Sequence, residues 1–361
     1  MSSALTMTDR VIGCLIGGAL GDALGAHVEF LAWPDIESRF GPSGITELER
    51  TYGRYGAVTD DTQMTVFTVE SAIRWHVAWR AGVPVEFGSA MWDGYLRWLQ
   101  TQDGPDPTES DGWLLQRPWL HARRAPGNTN LQALRGGVMG RLDAPINNSR
   151  GCGAVMRSAP LGFFASSPDE AFERGAQSGV VTHSDPGGYL PAGILAAAVY
   201  LVAHGMPIHE ALAEAGVIAQ TWAGSRPTLK RLEHGLEVGR QGLPTPGAIH
   251  EIGEGWQGHD ALAIAAACAA SGAPLLDVLR AAANHSGDSD STASIAGQLV
   301  GARDGLDDAA TQWANNIEGR TDLLALADDF VTEFSDAVDP KPIACPGSSW
   351  WLRYPGTASP S

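Results

Sequence analysis

Two short segments of the chain combine aspartates with hydroxyl side chains directly ahead of a helical pattern. The first is Thr59-Asp60-Asp61-Thr62, and the second is Gly287-Asp288-Ser289-Asp290-Ser291-Thr292. Carboxylates and hydroxyls are the oxygen ligands that hard divalent cations prefer, and neither segment has the cysteine and histidine pattern of a zinc site. The two segments therefore predict hard-cation chemistry, provided that the fold brings them together.

The spacing of Asp288 and Asp290 constrains the backbone between them. On a regular helix the two side chains would lie about 200° apart, so they can face one point only from a loop or a distorted first turn, which Gly287 permits. Helix capping is the alternative for both segments, because the helix dipole stabilises carboxylates in a first turn. If all four carboxylates pack together, about two divalent cations are needed to offset their repulsion. The residues alone leave capping and metal binding open.

Helical periodicity dominates the rest of the chain and predicts an all-α fold. Behind Thr59, which we expect to cap a helix, apolar side chains share roughly one face: Met64, Phe67, Ala72 and Trp75. Alanine-rich apolar stretches predict buried helices at 192–204, 262–270 and 295–302, the first with Pro191 in its opening turn and Gly205 at its end. Loops are predicted at 34–55, 101–118, 121–130 and 147–153.

Composition excludes several classes of protein. The 361 residues carry 24 basic and 41 acidic side chains, and the formal charge of −17 argues against binding to duplex DNA or RNA. The four cysteines lack a CxxC pair, which argues against a disulfide framework and favours a reducing compartment. The longest apolar runs are too short to span a bilayer, and Asp9 and Arg10 interrupt any signal-peptide pattern. We therefore expect a cytoplasmic protein with no membrane segment.

Six motifs, in order between residues 10 and 305, resemble those of the ADP-ribosylglycohydrolase family, which includes hydrolases of ADP-ribosylarginine and ADP-ribosylserine. They are GGALGDALG at 17–25 followed by VEF at 28–30, TDDTQM at 59–64, PGNT at 126–129, GCGAVMR at 151–157, TH at 182–183 with Pro186, and GDSDST at 287–292. The resemblance implies a compact single domain, an orthogonal bundle of helices around two magnesium or manganese ions.

Roles for individual residues follow from this resemblance. The implied metal ligands are Thr59, Asp60, Asp61, Asp288, Asp290 and Ser291, the last standing where threonine is usual. Glu29 matches an acidic residue on a segment that covers the metals in some members, and the implied catalytic carboxylates are Glu29, Asp60, Asp61 and Asp288.

The resemblance also implies a substrate pocket. The residues expected along it are Gly151, Cys152, Gly153 and Met156 at the ADP-ribose, Asn128 and Thr129 near its phosphates, and His183 near the distal ribose or its phosphate. Cys152 stands where asparagine is usual. Asp103 matches an aspartate that recognises arginine in arginine-specific members, and its negative charge would favour a guanidinium.

The implied activity is hydrolysis of the N- or O-glycosidic bond at C1″ of ADP-ribose. ADP-ribose would be released from a modified protein side chain, with arginine preferred, or from a small molecule. Two other functions stay open: a non-catalytic ADP-ribose-binding or structural, crystallin-like protein of the same fold, and a metal-dependent phosphohydrolase acting on nucleotides. We expect a monomer with one domain at 10–335 and an irregular C-terminal extension at 336–361, held by Trp350 and Trp351.

Overall fold

The computed structural model describes residues 5–104, 112–335 and 338–356. These residues are predominantly helical, which confirms the predicted all-α class. Two strands, β1 (Arg50–Thr51) and β2 (Arg54–Tyr55), form a short antiparallel hairpin. The α-helices are α1 (Met7–Gly25), α2 (Trp33–Phe40), α3 (Asp60–Arg80), α4 (Phe87–Asp103), α5 (Asn128–Arg135), α6 (Pro168–Val180), α7 (Pro186–Ala203), α8 (Ile208–Ala219), α9 (Arg226–Gly239), α10 (Pro246–Ile252), α11 (Gly258–Ala269), α12 (Leu275–Ala283), α13 (Ser289–Asp304), α14 (Asp308–Ala314), α15 (Arg320–Phe334) and α16 (Ser349–Arg353). Short 3-10 helices cover Leu114–Gln116, Pro118–His121, Cys152–Arg157 and Ala159–Phe163.

The alanine-rich helices form the centre of the core, as predicted. Helix α11 is buried along its whole length, and α13 is buried from Ser289 to Ala302. An alanine-rich helix such as α11 belongs in an interior, because it has almost no polar face to offer to water. These two helices, with α7 and most of α1 and α3, surround the region in which the acidic segments lie.

Helix α7 begins earlier than the sequence predicts. It starts at Pro186, so Pro191 lies inside the helix rather than in its opening turn. A proline there cannot donate the usual backbone hydrogen bond, which is why the sequence predicts it in the opening turn. On length and composition alone this 18-residue helix could cross a membrane, but 78% of it is buried inside the protein, as in the core helix of a globular fold.

The predicted loop at 34–55 is wrong over part of its length. Helix α2 occupies its first part and is supported by Pro34 in its first turn, and Gly41 ends it with a φ of +87°. The hairpin of β1 and β2 occupies the last part. The loop predicted at 101–118 overlaps the end of α4 and two short 3-10 helices, and its residues 105–111 lie outside the described residues.

The C-terminal residues 338–356 pack against α3 and α15. Glu333 at the end of α15 accepts hydrogen bonds from Arg80 Nη1 and from Trp350 Nε1, both at 2.8 Å. Tyr354 is buried, and its hydroxyl donates to Asp329 at 2.5 Å. The domain boundary at residue 335 stays a prediction.

A stripe of glycines lets α1 and α13 touch backbone to backbone. Glycines recur every four residues along one face of α1, and each lies against a backbone carbonyl of the antiparallel α13. A Cβ added to Gly13, Gly17, Gly21 or Gly25 would lie 2.1, 2.5, 2.1 or 2.3 Å from the carbonyl oxygen of Gly301, Gly297, Ala293 or Ser289. Close packing of α1 against α13 is therefore what these four glycines permit.

We predict that Gly21→Ala lowers the free energy of unfolding by about 1–3 kcal/mol, because a carbonyl of the facing helix leaves the new methyl group no space. Gly88→Ala in α4 is the matched control, since nothing lies within 4 Å of its added Cβ. The control should be neutral or more stable by up to about 1 kcal/mol, because alanine favours helix. Denaturant unfolding followed by circular dichroism measures both, and equal effects of the two variants would contradict the packing argument.

Candidate metal and substrate site

The structure brings the two acidic segments together. Asp60 and Asp61 begin α3, whereas Asp288 and Asp290 lie at the start of α13, and all four side chains are buried. Glu29, just beyond the end of α1, joins them: one carboxylate oxygen each from Glu29, Asp288 and Asp290 lies within 4.8 Å of the others. The glycine contact between α1 and α13 makes this possible, because it places the last turn of one helix beside the first turn of the other.

The entry into α13 has the distorted form that the spacing of its aspartates requires. Gly287 has a φ of +119°, and Asp288 has φ −78° and ψ 70°, outside the helical region. Asp290 Oδ1 accepts from the backbone N–H of Ser291 at 2.9 Å. The prediction that these aspartates lie on a loop or a distorted first turn permitted by Gly287 is confirmed.

Thr59 caps α3, as predicted, and also contacts the second acidic segment. Its Oγ1 accepts from Asp61 N at 3.3 Å, which is the expected N-cap contact, and it donates to Asp290 Oδ2 at 3.2 Å. Asp60 Oδ2 accepts from Gly127 N at 3.1 Å, which ties the start of α3 to the loop ahead of α5. The residues that cap α3 therefore also join the two acidic segments to each other and to the loop ahead of α5.

Asp22 is a sixth buried carboxylate that the sequence reasoning missed. It is fully buried on α1, and its oxygens accept from the backbone N–H groups of Thr59 and Thr62 and from Thr62 Oγ1 at 2.5 Å. Burial and the nearby Asp290 raise the pKa of Asp22 to about 7. Asp22 stands in the motif GGALGDALG, which could have drawn attention to it. Its partners Thr59 and Thr62, however, are distant in sequence and come within hydrogen-bond distance only in the folded chain.

The electrostatics of the acidic cluster, formed by Glu29, Asp60, Asp61, Asp288 and Asp290, favour a bound cation. Burial, followed by repulsion from neighbouring carboxylates, raises the pKa of Glu29 to about 11, and burial is also the largest cause of the raised pKa values of Asp60, Asp61, Asp288 and Asp290. Glu29 Oε2 and Asp61 Oδ1 are buried without a hydrogen-bond partner. Buried oxygens of this kind fit a hard divalent cation, which would supply the missing partner and the positive charge.

A cavity of about 430 Å³ opens beside the acidic cluster. Seven of the eight predicted substrate residues line it: Asn128, Thr129, Gly151, Cys152, Gly153, Met156 and His183. Ser291, Glu29, Asp60, Asp61, Asp288 and Asp290 line it as well, whereas Thr59 lies behind them and is fully buried. The cavity therefore joins the predicted metal ligands to the predicted substrate loop.

A buried arginine supports the far side of this cavity. Arg157 is fully buried, donates to Asn130 Oδ1 at 2.9 Å and to Thr182 Oγ1 at 2.8 Å, and lies 3.7 Å from the centre of the Tyr95 ring. Thr182 Oγ1 is in turn 2.9 Å from His183 Nδ1. Burial and the Arg157 charge lower the pKa of His183 to about 3, so its ring is neutral and can offer a hydrogen bond without a charge.

Cys152 lies on the acidic side of the cavity. Its Sγ is 2.7 Å from Asp288 Oδ2, so the thiol donates to a predicted metal ligand. Burial and the Asp288 carboxylate raise the pKa of this thiol well above its usual range. The thiol is therefore protonated beside the carboxylate, and a nucleophilic thiolate is disfavoured.

The structure does not bring Asp103 into the cavity. Its carboxylate lies at the surface and pairs with Arg123 Nη1 at 3.0 Å and with Arg135 Nη2 at 2.5 Å. The predicted acceptor role rests on the resemblance and on the negative charge of Asp103, and two arginines already compensate that charge. Arg123 itself lines the cavity.

Two aromatic residues at the cavity were not identified from the sequence. Phe30 follows Glu29 directly, and its ring stacks on Trp256 with centroids 5.9 Å apart and an interplanar angle of 20°. Both are exposed, Phe30 by 70% and Trp256 by 41%. They are 226 positions apart in the chain, so periodicity and local motifs could not pair them.

Comparison with known proteins gives consistent results. The sequence profile described as ADP-ribosylglycohydrolase matches residues 3–339. A curated protein of Archaeoglobus fulgidus, described as uncharacterized, is 25% identical over 328 residues, which cover 89% of this chain and 95% of the relative. A solved structure described as an ADP-ribosylglycohydrolase-related protein complex superposes with a TM-score of 0.63 at 25% identity, over 90% of this chain and 97% of that one. The similarity therefore extends over nearly the whole of each chain.

We predict that Mg²⁺ or Mn²⁺ raises the thermal midpoint of this protein and that Asp288→Asn abolishes most of the increase. A ligand at 100 times its dissociation constant stabilises the folded state by about 2.7 kcal/mol. Without metal, Asp288→Asn should leave the thermal midpoint unchanged or raise it, because it removes one of several buried like charges. Thermal melts with metal and with excess chelator measure both effects. Asp308→Asn, at an exposed site on α14, is the control, and the site would be refuted if metal stabilised Asp288→Asn as much as the control.

Proposed function

Because this chain belongs to the ADP-ribosylglycohydrolase family, we propose that it uses two divalent ions to hydrolyse the glycosidic bond at C1″ of ADP-ribose. The observation that carries the proposal is the meeting of five buried carboxylates beside a cavity lined by the glycine loop Gly151–Gly153. The residues proposed to hold the ions are Thr59, Asp60, Asp61, Asp288, Asp290 and Ser291. Magnesium or manganese would act there as a Lewis acid that polarises the ribose hydroxyls and a water molecule.

The remaining residues of the cavity suit a diphosphate ligand without a basic cluster. Gly151 and Gly153 carry no side chain, so backbone N–H groups can approach an anion closely. Asn128 and Thr129 occupy the first turn of α5, where unpaired N–H groups and the helix dipole favour negative charge. His183, held neutral, can donate or accept a hydrogen bond at the same ligand.

We propose Glu29 as the acid and base of the reaction. Its Oε2 is buried without a partner, and the residue lines the cavity together with Asp288 and Asp290. A carboxyl group whose pKa is raised by its surroundings can give a proton to a leaving group and take one from water. Asp60, Asp61 and Asp288 are the alternative candidates for this role, and their place among the proposed metal ligands makes them less free to exchange a proton.

For the acceptor we propose arginine, on grounds that differ from those the sequence offered. Asp103 is already paired with Arg123 and Arg135. The exposed Phe30–Trp256 stack, together with the acidic cluster, provides a surface suited to a planar cation. A guanidinium is attracted by aromatic faces and by nearby carboxylates, whereas a serine hydroxyl gains little from either.

The first experiment measures free ADP-ribose released from arginine-linked and serine-linked ADP-ribosyl proteins, with Mg²⁺, with Mn²⁺ and with excess chelator. We expect release that requires metal, and we expect Asp288→Ala to reduce kcat/KM by about 100-fold or more, since a metal contributes several kcal/mol to the transition state. Asp308→Asn should retain full activity. Undiminished release in chelator would refute the metal mechanism, and ADP-ribose binding without release from any conjugate would favour the non-catalytic alternative.

A second prediction concerns the aromatic pair. We expect Trp256→Ala to lower kcat/KM for the arginine conjugate by about 2- to 30-fold, corresponding to the 0.5–2 kcal/mol of a cation–π contact. The serine conjugate, if it is hydrolysed, should change much less. Trp79→Ala removes an exposed tryptophan on α3 and serves as the matched control. Equal losses on both conjugates would show that Trp256 does not select the acceptor.

A further inference from the structure

Cys152 differs from the other three cysteines in its surroundings. Its Sγ lies 2.7 Å from Asp288 Oδ2, and Ser291 Oγ lies 3.7 Å from the same sulfur. Cys14 and Cys268 are fully buried in the apolar core, and Cys345 is exposed in the C-terminal segment. A cysteine kept only for packing would resemble Cys14 or Cys268, whereas Cys152 lines the cavity and contacts two proposed metal ligands.

The backbone around Cys152 is fixed. Its N–H donates to Trp256 O at 3.2 Å, the neighbouring Gly151 forms a β-bridge with Gln257, and Gly258 N donates to Arg150 O at 2.7 Å. The position of the sulfur therefore depends on rotation of a single short side chain. A preorganised donor atom of this kind loses little entropy when it binds a ligand.

A second observation points to a cation in the cavity that Cys152 lines. Glu29 Oε2 and Asp61 Oδ1 are buried carboxylate oxygens without hydrogen-bond partners, and both residues line the same cavity as Cys152. Asp288 links the carboxylates to the sulfur. One of its carboxylate oxygens lies within 4.8 Å of oxygens of Glu29 and Asp290, and its Oδ2 accepts a hydrogen bond from the Cys152 thiol. The sulfur therefore contacts the acidic cluster, which has no compensating cation of its own among these side chains.

We propose that Cys152 Sγ is a metal ligand beside Asp288, so that one end of the acidic cluster is a mixed sulfur and oxygen site with enhanced affinity for Zn²⁺ or Cd²⁺. On binding, the S–H bond breaks, the proton leaves to solvent, and a sulfur electron pair forms the bond to the metal. Sulfur and oxygen ligands of one tetrahedral ion lie about 3.5 Å apart, so the present contact must open by less than about 1 Å. Mg²⁺ does not use sulfur ligands, and its affinity should be independent of Cys152.

The inference rests on the metal site of the proposed function but not on turnover, and its test uses metal alone. Cd²⁺ is titrated into the full-length protein, and the ultraviolet thiolate-to-cadmium charge-transfer band is recorded. We expect the band in the wild type and in Cys345→Ser, which removes the exposed thiol, and we expect its loss in Cys152→Ser. Calorimetry should show at least about a tenfold weaker Cd²⁺ affinity in Cys152→Ser, with Mg²⁺ affinity changed less than about twofold.

A measurement on the wild type alone keeps the proposal testable if the Cys152→Ser variant fails to fold. Alkylation of Cys152, followed by mass spectrometry of its peptide, should be slowed by Zn²⁺ and much less by Mg²⁺. A charge-transfer band that survives in Cys152→Ser, or Zn²⁺ and Mg²⁺ that protect the thiol equally, would overturn the sulfur ligand and leave the proposed hydrolase intact. Failure of every divalent ion to bind would instead refute the metal site of the proposed function.

Discussion

The site depends on the direct backbone contact between α1 and α13. Glycines every four residues on α1 allow the two helices to approach until carbonyl oxygens of α13 occupy the space where side chains would be. This contact places Asp22 and Glu29 beside Asp288 and Asp290. It also orders the start of α3, since Asp22 accepts hydrogen bonds from Thr59 and Thr62. A side chain between the two helices would move Glu29 away from Asp288 and Asp290, and one divalent ion could then no longer contact all three carboxylates.

The concentration of buried negative charge is a cost that the rest of the fold must compensate. The acidic region lies at two helix N-termini, those of α3 and α13, and the helix dipoles offset part of the repulsion. Backbone donors satisfy Asp22 and one oxygen of Asp60, but Glu29 Oε2 and Asp61 Oδ1 stay unsatisfied. The fold therefore stabilises the carboxylates that it uses structurally and leaves unpaired oxygens where a divalent ion would bind.

The sequence predicts the parts of this structure that depend on local pattern. The 3.6-residue periodicity, the alanine-rich helices and the two aspartate segments with Gly287 are all readable along the chain. Features that depend on distant partners could not be predicted in this way. Asp22 is one aspartate within a glycine-rich helix until folding brings Thr59 and Thr62 beside it. The negative charge of Asp103 is compensated by Arg123 and Arg135, which lie elsewhere in the chain. The Phe30–Trp256 stack likewise joins remote segments. Pro191 shows a different limit, because tertiary burial outweighs the local cost of a proline within α7.

The distance along the chain between α1 and α13 also has a consequence for how the protein is made. α1 ends at residue 25 and α13 starts at residue 289, so the contact between them closes one of the longest loops in the molecule. During synthesis, the glycine face of α1 emerges from the ribosome long before its partner exists. The carboxylates of α3 and α13 therefore meet only when almost the whole domain has been translated. Late closure spares the nascent chain the electrostatic repulsion of the finished site, and it also means that the acidic cluster forms last.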